Sequence, residues 1–417
     1  MLCIDTPIFF DKISKAMDQL GPFEEAPTLA IAVSGGSDSL ALAFLLHQWV
    51  SNQKGSLLAL HVDHKLRPES TKEAQQVSQW MTQRNIPCTI LTWDHDLTPK
   101  TGLQEKARAA RYALLQKACC DQNILHLVTA HHAEDQTETF IIRQQSKSTD
   151  YGLSGMSAVT YFKTGRLIRP ALSLSKKELK TTLGSHPHLE DPSNKNCSFH
   201  RVKLRQKKLE KIHLAPYQEK RRKEEREASR FLALYATLSP KGYGQIPLSS
   251  LDQSEPPIVE RALGFLIRCI GNLDYLPQPR SVQKLVQKLY NQDYSTSSFG
   301  RCTIHVSQKK LWLTPDIRLL PQVNDLSIDQ KFWDRFLLQN SSLPQDIYIK
   351  PLGQEGWLQV KSRIKTPLPY CTAITFPSYW KKEKVVCIPF LSFGERIKNY
   401  PSFSYQPKNS LLAEIFV

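Results

Sequence analysis

Between the apolar run Leu29-Ala30-Ile31-Ala32-Val33 and a second apolar run at helical spacing, Leu40 to Leu46, the chain places Ser34-Gly35-Gly36-Ser37-Asp38-Ser39. That order specifies a buried strand, a glycine turn and a helix start. Adjacent glycines admit positive φ, so backbone N–H groups converge where the helix's unbonded N–H groups and positive dipole end also aim. The segment is therefore an anion site. Ser34, Ser37 and Ser39 add hydroxyl donors, and Asp38 supplies a carboxylate able to hold Mg²⁺ against phosphate oxygens. No lysine follows the glycines and G-x-x-x-x-G-K-S/T is absent, which argues against a P-loop NTPase.

The pattern around this turn repeats. Leu29 to Val33, Leu57 to Val62, Cys88 to Trp93 and Ile124 to Thr129 read as strands, with helices starting near 38, 70 and 103 and after 130. Such alternation means βαβ units, an α/β fold with a parallel sheet covered on both faces. Ligands of open α/β sheets sit beyond the carboxyl ends of the strands. There lie His61-Val62-Asp63-His64-Lys65-Leu66-Arg67 and Ala130-His131-His132-Ala133-Glu134-Asp135-Gln136-Thr137-Glu138. His131 and Asp135, at i and i+4, are expected on one helix face. For any one histidine a helix cap or satisfied core group is an equal alternative, but their joint placement at successive strand ends favours function. Zinc is the weaker reading, because H-E-x-x-H is absent and carboxylates beside a phosphate loop suit Mg²⁺. In the helix from 103 to 116, Glu105, Arg108 and Arg111 fall near one face, with Arg111 able to reach phosphate.

At 417 residues the chain suggests on the order of two or three domains. Its 55 Lys and Arg against 39 Asp and Glu leave a net charge of +16, which calls for a polyanionic partner. Nucleic acid ranks ahead of a membrane surface, since no apolar run is long enough to span one. The nine cysteines (3, 88, 119, 120, 197, 269, 302, 371 and 387) never form C-x-x-C, so neither a zinc site nor a disulfide framework is signalled. The N-terminus lacks a basic segment with an apolar stretch behind it, and a cytoplasmic protein is expected.

Farther along, Asp191-Pro192-Ser193-Asn194 reads as an Asx turn ahead of Arg201 and Arg205. Residues 201–230 carry 12 Lys and Arg against 5 Asp and Glu in what reads as a long helix broken near Pro216, a stripe able to follow a phosphate backbone. Pro240 to Gly244 reads as a linker, 247–290 as mainly helices, and Cys302 to Val306 with Lys310 to Leu313 as a hairpin. Beyond about 325 come short strands, Ile347 to Ile349, Trp357 to Val360 and Val385 to Ile388.

Together these residues resemble a known family. Ser34 to Ser39, His61-Val62-Asp63-His64 with Leu66-Arg67, Arg108 and Arg111-Tyr112, His131-His132 with Asp135-Gln136 and Glu138-Thr139, and Asp191 to Asn194 with Arg201 and Arg205 are similar to the motifs of the tRNA(Ile)-lysidine synthetases. These are bacterial members of the PP-loop (N-type) ATP pyrophosphatases, and the match is specific over roughly 28–205. The resemblance implies a catalytic domain over 1–215, a mainly helical tRNA-binding domain over 216–325 and a small α+β tRNA-binding domain over 326–417, with Lys350-Pro351-Leu352-Gly353 at its entry.

It also implies the reaction: ATP adenylates O2 of the wobble cytidine of a tRNA(Ile) with a CAU anticodon, and the amine of free L-lysine then displaces AMP at C2. Ser34, Gly35, Gly36, Ser37, Asp38, Ser39, His61 and Arg111 would bind ATP, and Asp38 and Asp135 Mg²⁺. Catalysis would fall to Asp38, Asp135, His131 and His132, with His131, His132 or a nearby carboxylate taking the lysine proton. Arg201 and Arg205 would meet phosphate or tRNA. A homodimer is compatible with this set.

Four positions depart from the family pattern: Glu134 for a second Asp, Lys65 for Gly, Val202 for Arg-Asn, and Gln144 to Lys147 for an Arg-Gly run. Lys65 is expected to alter its turn, since it gives up glycine's freedom at φ > 0. Two other readings compete. A tRNA thiolase would want paired catalytic cysteines, which are missing, and a non-catalytic RNA-binding relic would have no need of Asp38 and Asp135.

Overall fold

The computed structural model describes residues 7–94, 103–162, 164–190, 214–322, 332–339, 343, 346–394, 400–409 and 411. They fall into two units, one up to Arg222 and one from Lys223. The first runs α1 (Pro7–Gln19), β1 (Thr28–Ala32), α2 (Ser37–Asn52), β2 (Ser56–Asp63), α3 (Ser70–Thr82), β3 (Cys88–Thr92), α4 (Leu103–Asp121), β4 (His126–Val128), α5 (Ala133–Gln145), the single turn α6 (Asp150–Leu153), β5 (Val159–Phe162), β6 (Gly165–Ile168) and α7 (Lys176–Leu183).

Alternate residues of a strand face opposite sides of its sheet, and the apolar runs are filled accordingly. Leu29 and Ile31 of β1 join a core with Ile13 and Met17 of α1, Leu42 and Leu45 of α2 and Val77 and Met81 of α3. Ala30 packs the other way, with Leu60 and Leu127 against Leu115 and Cys119 of α4. Each fully buried Leu or Ile contributes about 1.5–3 kcal/mol. The sheet order is β3-β2-β1-β4-β6-β5. All neighbours are parallel except the edge strand β5, which runs antiparallel to β6. From β1 the chain moves to β2 and β3 on one side, then crosses to β4 on the other. That reversal opens a crevice beyond the carboxyl ends of β1 and β4.

The helix α8 (Ala215–Tyr235) spans the division between units. Pro216 stands at its second residue, where a missing N–H costs nothing, and residues 201–213 of the expected helical run lie outside the described residues. The second unit continues with β7 (Thr237–Leu238), β8 (Gly244–Pro247), α9 (Pro256–Ile270), α10 (Pro279–Tyr290), β9 (Ser297–Phe299), β10 (Cys302–Ser307) and β11 (Lys310–Pro315). The expected hairpin β10–β11 is part of a five-stranded antiparallel sheet, β7-β8-β11-β10-β9. Val259, Leu263 and Leu266 of α9 and Val282, Leu285 and Leu289 of α10 pack on its Ile304, Leu311 and Leu313.

Then come β12 (Phe332–Trp333), β13 (Phe336–Gln339), β14 (Ile347–Pro351), α11 (Gly353–Val360), α12 (Tyr370–Ala373), β15 (Pro377–Lys381), β16 (Lys384–Ile388), β17 (Phe393–Gly394) and β18 (Ser402–Tyr405). They make the sheets β12-β13-β18 and β14-β15-β16-β17 around Trp333, Phe336, Ile349 and Tyr379.

Two local expectations are corrected. Residues 239–243 are no linker but the turn between β7 and β8: Ser239 N–H donates to the Tyr243 carbonyl (2.8 Å), and Gly242 takes φ +86°. Trp357 to Val360 is the end of a helix, with Leu352, Gly356 and Val360 buried at i, i+4 spacing. A Cβ on Gly356 would come within 2.8 Å of the Trp380 indole, so the glycine admits that ring.

Candidate active site

The glycine loop leaves β1 into the crevice. Val33 N–H extends the sheet by donating to the Leu60 carbonyl (2.9 Å). Gly35 turns the chain at φ +86°, a conformation that favours glycine, and Gly36 (φ −73°, ψ 158°) stands at the N-cap of α2 with no side-chain cap. The first-turn N–H groups of α2 therefore aim at the crevice with the dipole's positive end. The Ser39 hydroxyl donates to the Gly36 carbonyl (2.9 Å), so in the 3.2 Å contact between Ser34 and Ser39 the Ser34 hydroxyl is the donor. Ser34 N–H also donates to Ser39 Oγ (3.2 Å). These two serines brace the loop. Ser37 is buried and donates to Asp38 Oδ1 (3.2 Å), which fixes that carboxylate in the first turn.

His61 does not reach the crevice. Its ring is buried behind the loop, and Nδ1 lies 2.8 Å from the Val33 carbonyl, so Nδ1 carries the proton. Burial lowers its pKa, outweighing the Val33 bond and the charges of Asp63 and Glu73, which keeps the ring neutral and fixes the end of β1. At the end of β2, Asp63 accepts from Lys65 N–H (2.9 Å) and Thr71 Oγ1 (2.9 Å). Lys65 takes φ +49°, a left-handed conformation that costs a non-glycine residue about 1–2 kcal/mol.

The facing wall is the start of α5. His132 is its N-cap and His131 precedes the helix, so His131 and Asp135 share no helix face. It is His132 that meets Asp135, which accepts from the His132 N–H (3.0 Å). The buried His132 ring gathers the site: Nε2 lies 3.6 Å from Asp38 Oδ2 and 3.5 Å from Asp135 Oδ2, and Nδ1 lies 3.0 Å from Glu134 Oε2. Asp38 and Asp135, 97 positions apart in the chain, thus converge on one nitrogen. The longer arm of Glu134 reaches α7, accepting from Lys176 N–H (2.9 Å).

His131 lies 2.9 Å from Thr129 Oγ1. Burial, then the guanidinium charges of Arg169, Arg108 and Arg111, push its pKa well below the usual histidine value. Arg169 is held by the Ser157 carbonyl (2.6 Å) and Thr160 Oγ1 (3.0 Å), and Arg111 stacks over Tyr112 at 5.1 Å.

These groups enclose a cavity of about 700 Å³ lined by Ser34, Gly36, Asp38, Ser39, Arg111, His131, His132, Glu134, Asp135 and Glu138, with Leu189 and Glu190. Glu138 belongs to the motif after β4 without a role assigned to it there, since a helical i+3 spacing from Asp135 does not separate it from solvated charge; here it is a buried carboxylate in the cavity wall. A second cavity, of about 540 Å³, is lined by Ala133, Gln136 and Thr137 on another side of α5, by Arg169, and by Gln19 and Gln218. No cluster of three or more His, Cys, Asp or Glu fit for a metal occurs among the described residues. Two carboxylates beside an anion loop nonetheless fit Mg²⁺, which binds through one or two carboxylates plus substrate phosphates. Asp191 to Asn194, Arg201, Val202 and Arg205 lie outside the described residues. No described helix is long and apolar enough to cross a membrane, and the described cysteines are free.

A parallel α/β sheet whose first strand runs through a lysine-free glycine loop into an uncapped helix defines a PP-loop nucleotide-binding protein, and residues 7–212 match a PP-loop domain. The chain belongs to the tRNA(Ile)-lysidine synthase family. It is 29% identical over 432 residues to the tRNA(Ile)-lysidine synthase of Orientia tsutsugamushi, covering 94% of this chain and 96% of that protein. Identity to the one from Hyphomonas neptunium is 30% over 313 residues, 70% of this chain and 83% of the relative. To that of a Bradyrhizobium species it is 42% over 188 residues, 44% and 52% of the two chains.

Proposed function

We infer that this chain joins the side-chain amine of lysine to C2 of the wobble cytidine (position 34) of a tRNA(Ile) with a CAU anticodon. In the first step cytidine O2 attacks the α-phosphorus of ATP, the bond to the β-phosphate oxygen breaks and pyrophosphate leaves. In the second the neutral lysine amine attacks C2, the C2–O bond breaks, AMP leaves and the amine loses a proton. A ring carbonyl oxygen leaves poorly, whereas its adenylate leaves well.

The observation that carries this reading is the meeting of Asp38 and Asp135 at His132 in front of the open N-terminus of α2. Backbone N–H groups of the loop and first turn would hold the β- and γ-phosphates, and Arg111 would add a guanidinium. Asp38 and Asp135 would hold Mg²⁺, which neutralises charge developing on the departing pyrophosphate. Lysine arrives as an ammonium with a reference pKa of about 10.4. His131, disfavoured as a cation by burial and then by Arg169, Arg108 and Arg111, is a poor acceptor for that proton, which leaves His132 and the carboxylates Glu134 and Glu138.

We assign residues 1–215 to catalysis and 216–325 and 326–417 to tRNA binding, with Arg201 and Arg205 on phosphate. On α8, Lys223, Arg226 and Arg230 are exposed at i, i+3 and i+7, one helix face. tRNA affinity should fall steeply with salt, and a chain truncated after 205 that bound tRNA as well as the whole would refute this assignment. The deciding experiment combines ATP, lysine and tRNA with a CAU anticodon. AMP should appear only when both lysine and tRNA are present; release independent of either would overturn the function. Sedimentation of the same sample would show whether the working form is a homodimer.

A further inference from the structure

The segment from Gly184 to Glu190 ties the glycine loop to the rest of its unit. Gly184 ends α7 at φ +61°. His186 then sits edge-on to Phe44 of α2 at 5.1 Å and to Trp80 of α3 at 5.8 Å. Three residues on, Leu189 meets the loop in two ways. Its backbone N–H donates to the Gly35 carbonyl at 2.8 Å. Its side chain, with Val77 of α3, fills the space beside Gly35, where a Cβ would lie 2.6 Å from Leu189 Cδ1 and 2.6 Å from Val77 Cγ2.

The hydrogen bond has a geometric consequence for the anion site. In a trans peptide the C=O of one residue and the N–H of the next point in opposite directions. With the Gly35 carbonyl turned toward Leu189, the Gly36 N–H is turned away from it, toward Ser34 Oγ (3.4 Å) and the cavity that Ser34 and Gly36 both line. A peptide between two glycines rotates with little steric resistance, so the glycines permit this orientation without selecting it. The reversed peptide would present a carbonyl oxygen to the phosphates, replacing attraction by repulsion.

We propose that Leu189 is a positioning residue for the ATP half-reaction: its N–H fixes the Gly35–Gly36 peptide so that the loop offers a donor to the departing pyrophosphate. The inference rests on the reading of this loop as the pyrophosphate site. Sequence alone gives no hint of it, because the N–H belongs to the backbone and its partner lies 154 positions away.

The test uses the full chain and calorimetric titration with ATP and with inorganic pyrophosphate, each with Mg²⁺. An amide-to-ester replacement at residue 189 deletes the N–H and keeps the side chain; Leu189→Pro deletes it genetically; Leu189→Ala keeps the N–H and trims the wedge. The ester should weaken both ligands about tenfold and raise KM for ATP to match, with KM for lysine and tRNA unchanged, whereas Leu189→Ala should cost only about two- to threefold. Wild-type binding with an ester variant within twofold of it would overturn the inference. Failure of the wild-type chain to bind either ligand would instead overturn the reading of the loop. Should Leu189→Pro fail to fold, the ester, which leaves φ unrestricted, decides the matter.

Discussion

The two walls of the cavity between the glycine loop and α5 are made by different means. The wall from Ser34 to Ser39 is mainly backbone: Gly35 at positive φ, two serines bonded to one another, and helix N–H groups left open. The wall from His131 to Glu138 is side chain: an imidazole with three carboxylates around it. A wall of backbone depends on a conformation, so substitutions there act through folding and through the direction of N–H groups. A wall of side chains depends on charge, so substitutions there can remove chemistry while the fold persists. Asp38 alone belongs to both, a charge carried on the backbone wall.

The sharpest test sets Asp135→Asn beside Asp135→Ala. Both should lower AMP formation by roughly 10²–10³-fold, as should Asp38→Ala, with tRNA binding retained. The Asn variant keeps the acceptor for His132 N–H and should melt near wild type, while Ala also gives up about 1 kcal/mol of helix capping. Equal melting of the two would break the distinction between charge and scaffold. Gly35→Ala probes the other wall. Strain at φ +86° and collision with Leu189 and Val77 should cost about 1–3 kcal/mol, a drop of several degrees in Tm by calorimetry, with nucleotide affinity falling alongside.

A third measurement concerns α7, outside both walls. Lys12 and Ser175 hold the Glu178 carboxyl down at about 2, against the ordinary 4.5. A depressed carboxylate stabilises the fold above its unfolded value, and that contribution fades as pH falls from 4.5 toward 2. Glu178→Gln should flatten this part of the stability–pH curve. The smallest effect is expected of Lys65→Gly, which relieves a left-handed lysine but loosens the unfolded chain, for a net gain of at most about 1 kcal/mol in denaturant melts.

What the sequence disclosed was local. The glycine loop, the clusters after β2 and β4 and the alternation of strands and helices could be read directly, because strand, turn and helix signals sit within a few residues of each other. What it withheld was pairing across the fold. Nothing near His61 announces that its Nδ1 will serve the Val33 carbonyl, and nothing near His132 announces that Asp38 will stand beside it. Trp357 to Val360 reads as a short strand, but it ends a helix in which Gly356, lacking a side chain, lets Trp380 approach. At Lys65 the residue type points away from positive φ, yet the turn takes φ +49° there, with Asp63 accepting from the Lys65 N–H and from Thr71.

The helices α7 and α2 also differ at their first residues. Ser175 and Glu178 close α7 reciprocally, the serine accepting from Glu178 N–H at 3.2 Å and the glutamate from Ser175 N–H at 2.7 Å. Gly36 does nothing of the kind for α2. In the proposed ATP complex the nucleotide's own oxygens would supply the missing cap for that central helix, and substrate concentration would then become a determinant of how firmly the protein is folded. Polyphosphate should raise the melting temperature in proportion to the logarithm of its excess over Kd, and cells starved of ATP would hold a softer population of this enzyme.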